Sequence, residues 1–83
     1  MGITDLAKQL DLFYNIGKER RDCNALVQCF GIKYANIIIE NRIRPEDIVA
    51  KSCLKGTTYA TEIRKAIKLS KYVCLKEGNN LLD

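Results

Sequence analysis

The chain has 83 residues, 47% of them apolar, and 14 Lys and Arg against 10 Asp and Glu give a net charge of +4. That length fits one domain over residues 1–83, and the apolar share excludes a disordered chain. The mild basic excess permits a polyanion partner without demanding one, and the longest apolar run, Ile37-Ile38-Ile39, is far too short for a membrane span.

Thr4 and Asp5 stand where a cap and an acidic first turn belong, and Leu6, Leu10, Phe13 and Tyr14 then recur at helical spacing. Gly17 is placed to end this first helix as a C-terminal glycine, and the KERRD run that follows serves as a charged connection. Asp22 is positioned to cap a second helix, in which Cys23, Leu26, Val27 and Phe30 mark one face as far as Gly31. From Ile32 onward, Tyr34, Ala35, Ile37, Ile38, Ile39 and Ile43 continue the apolar pattern. Their β-branching also suits a strand, but the chain offers no second strand to pair with it. A third helix is therefore expected, closed at Arg44 before Pro45.

Pro45 with Glu46 and Asp47 is a helix start, because acids there meet the positive end of the dipole. Ile48, Val49, Cys53 and Leu54 supply its apolar contacts, and Gly56 stops it. Thr57 or Thr58 caps the last helix, on which Tyr59, Ile63, Ala66, Ile67, Val73 and Cys74 trace one face until Gly78. Residues 79–83 read as a frayed tail whose Leu81 and Leu82 can tuck back. The expected fold is all-α, a small bundle of four to five short helices.

The stretch from Cys23 to Pro45 resembles the phage-repressor type of helix-turn-helix domain. Phe30-Gly31-Ile32 corresponds to that family's apolar-Gly-apolar turn, Leu26 and Val27 lie on the preceding helix, and the Ile-Glu-Asn run with basic residues and proline echoes its end. The sequence departs from the pattern at Glu40, where the family buries an apolar side chain, and at Arg42, where it has glycine. Ile38 and Ile39 also fall on the groove face, where base readout needs polar groups. Of these two neighbours, about 100° apart on a helix, one is expected to be buried and the other partly exposed. The resemblance implies that Lys33, Tyr34, Asn36 and Arg42 face DNA, with Lys33 and Arg44 holding phosphates.

A second basic feature lies on the last helix. Arg64, Lys68 and Lys71 recur at i, i+4 and i+7 with Lys65 beside them, opposite the Tyr59-Ile63-Ile67 stripe. A solvated face is the bland explanation; phosphate contacts, an anionic membrane surface and an acidic partner protein are the functional ones, the membrane one weakened by the lack of Trp or Phe on the apolar face. Catalysis is not expected. Without histidine there is no Cys-His or Ser-His pair, Glu46 and Asp47 are explained as helix-start residues, and no glycine loop cradles a phosphate. The leading function is thus a small non-enzymatic DNA-binding or transcription-regulating protein, its leftover apolar surface favouring a homodimer. The alternative is a helical adaptor or inhibitor whose basic helix meets an acidic partner.

Cys23, Cys29, Cys53 and Cys74 form no C-x-x-C pair, so the ligand spacing of a structural zinc site is missing and no cofactor is expected. The first ten residues carry no basic and apolar signal pattern, which points to a reducing, cytoplasmic setting with free thiols. Cys29, off the apolar stripe, is the thiol expected to be most exposed. Alkylation of the denatured, unreduced protein should therefore label all four cysteines by mass; two protected pairs would overturn the reducing assignment.

Overall fold

The computed structural model describes residues 1–76, and in them the helical periodicities become four helices. These are α1 (Ile3–Arg20), α2 (Cys23–Glu40), α3 (Pro45–Ala50) and α4 (Tyr59–Leu69). No strand occurs among the described residues, and the fold is all-α as expected. α2 is the central element, packed against both α1 and α4, while the short α3 touches α1 and α4.

Two glycines that the sequence pattern places at helix ends lie inside helices. α1 does not stop at Gly17 but continues to Arg20. A methyl built on Gly17 would lie 2.8 Å from the Cα of Cys23 and 3.1 Å from the Cβ of Leu26, so glycine lets the start of α2 close onto α1. The turn is made by Arg21, at φ 56° and ψ 43°, and the Asp22 amide donates to the Gly17 carbonyl at 2.7 Å. Asp22 does precede α2, but its side chain makes no capping bond. At the other end of α1, Gly2 rather than Thr4 holds the cap position, its amide donating to Asp5 Oδ2 at 3.1 Å.

Gly31 is the second case. The expected turn at Phe30-Gly31-Ile32 does not form, and the expected second and third helices are one continuous α2. A methyl on Gly31 would lie 2.7 Å from the Cβ of Ala66 and 3.1 Å from the Ile63 carbonyl oxygen. Glycine inside a helix costs about 1 kcal/mol relative to alanine; here it lets α4 approach the α2 backbone. α2 then ends at Glu40, ahead of the expected Arg44. Arg42 turns the chain at φ 53°, and the Ile43 amide donates to the Ile38 carbonyl at 3.0 Å, which satisfies one of the last free acceptors of the helix. Arg44 is extended, at φ −89° and ψ 131°, as a residue before proline must be.

α3 starts at Pro45 as expected but stops at Ala50 instead of Gly56. Buried Ser52 organises the chain beyond it, donating to the Val49 carbonyl at 2.8 Å and accepting from the Leu54 amide at 3.0 Å. The Cys53 amide donates to Asp11 Oδ1 at 2.8 Å, which ties this turn to α1. Gly56, at φ 86°, carries the chain toward α4. Cys53 is consequently exposed, not on an apolar stripe, and Cys29, half-buried, is less open than Cys53 or Cys74. All four thiols are free. α4 ends at Leu69, so Val73 and Cys74, expected on its apolar face, lie beyond it in the open. The expected stop at Gly78 and the tail 79–83 with Leu81 and Leu82 lie outside the described residues.

The core forms where α1, α2 and α4 meet. Leu6, Leu10 and Phe13 of α1 pack with Val27 and Phe30 of α2, Ile48 of α3 and Ile63 of α4, all fully buried. Phe13 and Phe30 meet edge to face with centroids 6.1 Å apart, and Tyr34 lies 5.2 Å from Phe30. Ile38 is 2% exposed and Ile39 54%, so the isoleucine pair splits as expected. Ile38→Lys should cost about 3 kcal/mol or more in denaturant melts, because it forces an unpaired charge into the core. Ile39→Lys should stay within about 0.5 kcal/mol. Equal losses at both positions would contradict this packing.

Candidate nucleic-acid interface

The element with the strongest two-sided character is α4. Ile63 and Ala66 are buried against α2, and Thr61, Arg64, Lys65 and Lys68 are exposed on the other side. Gln28 of α2 fixes its rotation, donating to Glu62 Oε2 at 2.7 Å. Glu62 also meets Lys65 at 3.5 Å within the helix. α3, the turn through Gly56 and α4 together make a helix, a turn and a second, cationic helix.

Arg64 is not a free cation. Its guanidinium grips the Glu46 carboxylate of α3 through both nitrogens, with Nη2 to Oε1 at 2.6 Å and Nη1 to Oε2 completing the fork. Those hydrogen bonds hold the Glu46 carboxyl below the usual range and push the Arg64 pKa up. Sequence reasoning missed this pair. Eighteen residues separate its partners, and Glu46 already had a sufficient local role in the first turn of α3. Among the described residues Lys68 and Lys71 make no ion pair. Lys71 is exposed but lies past the end of α4, so the expected stripe bends there.

The candidates on and after α2 do not share one surface. Tyr34 is a core residue, 9% exposed, its hydroxyl donating to Gln9 Oε1 at 3.3 Å, and it does not face outward as the resemblance implies. The Lys33 ammonium lies over the rings of Phe13 and Tyr34, 5.8 and 5.5 Å from their centroids, on the seam with α1. Gly31, two residues earlier and so about 200° around the helix, faces α4. Lys33 is therefore on the side away from α4. Asn36 and Arg44 are exposed. Arg42 alone of this group joins the α4 cations: with Arg64 and Lys68 it borders a groove floored by isoleucines.

Among the described residues, no cluster of three or more His, Cys, Asp or Glu could hold a metal, and no helix is long and apolar enough to cross a membrane. Partial burial, with the nearby Asp22 charge, pushes the Cys29 thiol up, which makes it a poor nucleophile.

Compared with known proteins, residues 2–76 match the family model of an HTH-like domain, a span that takes in all four helices. No curated protein and no solved structure gives a match. The helix-turn-helix resemblance thus holds at the level of the family, while the turn expected at Gly31 is absent.

The Glu46–Arg64 pair has a pH signature. A carboxyl held low in the folded state contributes stability above its unfolded value, about 4.3, and that contribution is lost as pH falls through the folded value. Both side chains are nearly half exposed, so the effect is small. Glu46→Gln should flatten part of the decline in stability below about pH 4.3. Wild type and variant declining in parallel on acidification would show that the pair does not form in solution.

Proposed function

The chain belongs to the HTH-like domain family, and on that premise we propose that it binds duplex DNA as a small transcription-regulating protein, with α4 against the nucleic acid. The observation that carries this reading is the outward face of α4. It follows a turn with a positive-φ glycine, and its opposite face is buried in the bundle. In helix-turn-helix readers the second helix enters the major groove and its N-terminal residues meet base edges. On this chain those positions are Thr57, Thr58 and Thr61, all exposed and able to donate or accept through their hydroxyls.

Lys65, Lys68 and Lys71 then serve as phosphate contacts, which position the protein without selecting sequence. Arg42 flanks them from the end of α2, close enough to border the same groove as Lys68. Arg64 reaches a phosphate only by exchanging its Glu46 partner. Lys33 and Asn36 stand on α2 away from this footprint, and Arg44 adds charge at the start of α3.

Titration of a random duplex against salt tests the reading. Each phosphate contact releases about one counterion, so changing Lys65, Lys68 and Lys71 together to Gln should lower the slope of log K against log salt by roughly two to three. The fold should hold, because all three side chains are exposed. An unchanged slope would remove α4 from the interface, and wild-type protein that fails to bind duplex at low salt would remove the function.

A further inference from the structure

The groove beside α4 has a chemistry that DNA does not use. Ile38, Ile39, Ile43, Pro45 and Ile67 form its floor, and Arg42, Arg64 and Lys68 stand around it, enclosing about 370 Å³. Ile38 and Pro45 are buried at its base, Ile43 and Ile67 are half-buried and Ile39 is exposed, so part of this apolar lining stays open to water between cationic side chains. Ile39 is 54% exposed there, and Leu69, next to Lys68 in the chain, is 47% exposed. No carboxylate lines the groove among the described residues.

We propose that this groove docks an acidic amphipathic helix of a partner protein. The occupant follows from charge and apolarity taken together. A DNA phosphate would satisfy the cations and gain nothing from five floor residues without a polar side chain. A second copy of this chain carries the same +4 charge and would bring a like-charged rim against this one. A helix with apolar residues at i, i+3 or i+4, and i+7, flanked by Glu or Asp, satisfies both halves of the site. Arg64 already holds Glu46, so among the described residues Arg42 and Lys68 are the groove cations open to a partner's carboxylates. Arg42 is held in place by the turn that ends α2, where it occupies the left-handed region at φ 53°, a conformation that glycine adopts at less cost. Because Lys68 belongs to both the groove and the outward face of α4, the partner and DNA compete for the same molecule.

The test uses the full chain and a fluorescein-labelled designed peptide of about fifteen residues, four helical turns, with leucines at helical spacing and glutamates between. A scrambled peptide of identical composition is the control, and no DNA is present, so the result stands apart from the DNA-binding reading. Anisotropy titrations should show the patterned peptide binding at least about tenfold tighter than the scrambled one. Ile39→Asp, at an exposed position, should weaken it about tenfold or more with unchanged circular dichroism. A second variant, Arg42→Gln with Lys68→Gln, should also weaken it and flatten its salt dependence. Equal binding of the two peptides, or no effect of either variant, would overturn the proposal. So would a wild-type dimer that Ile39→Asp dissociates, since the occupant would then be a second copy. Tighter peptide binding by a Leu81→Asp, Leu82→Asp variant would assign the groove to the chain's own end and overturn it as well.

Discussion

The close approach of α4 to the α2 backbone at Gly31 is the constraint on which the rest of this structure depends. With only a hydrogen at that position, the Cβ of Ala66 and the carbonyl of Ile63 come within 2.7 and 3.1 Å of where a side chain would begin. Interiors are packed too densely to absorb such an overlap without moving an element. A larger residue at 31 would push α4 outward and open the contacts that bury Ile63. Gly17 does the same work at the other seam, where α1 meets the first turn of α2. α2 is thus held between two neighbours, one on each side, with a glycine at each crossing.

Once α4 is seated, its rotation decides which residues face water. Ala66 and Ile63 point at α2, and the Gln28–Glu62 hydrogen bond locks that orientation from the polar side. The chain before α4 is equally constrained, because Ser52 closes the end of α3 and Asp11 of α1 accepts the Cys53 amide. The turn through residues 51–58 is therefore tied to the body of the bundle. The exposed threonines and lysines of α4 are thereby carried on a helix fixed to the bundle.

The same packing creates the groove. α2 ends at Glu40, and the chain doubles back through Arg42 and Ile43 to reach Pro45. That short return buries Ile38 and leaves Ile39 beside α4 uncovered. Arg64 spans the gap at one edge by holding Glu46, so the ion pair links α3 to α4 and also marks where the apolar floor stops. The exposed face of α4 and the apolar groove meet at Lys68.

Local pattern by itself determined that this chain is helical, where its helices carry their apolar faces, and that Pro45-Glu46-Asp47 begins one of them, since periodicity and cap chemistry act over one or two turns. It also divided Ile38 from Ile39, because adjacent residues on a helix point in different directions. It misread Gly17 and Gly31. A glycine inside an apolar pattern can end a helix or admit a neighbour, and the choice belongs to a partner far along the chain: Ala66 in the case of Gly31. The helix-turn-helix resemblance turned Tyr34 toward DNA, whereas its ring is buried and its hydroxyl reaches Gln9, 25 residues earlier in the chain. Glu46 looked finished as a helix-start acid because Arg64 comes 18 residues later. Val73 and Cys74 kept the period of α4 in sequence, yet the helix ends at Leu69 and leaves them exposed. Tertiary contact decided these points, because each depends on which distant side chain or backbone atom occupies the neighbouring space, and no periodicity within a single segment encodes that.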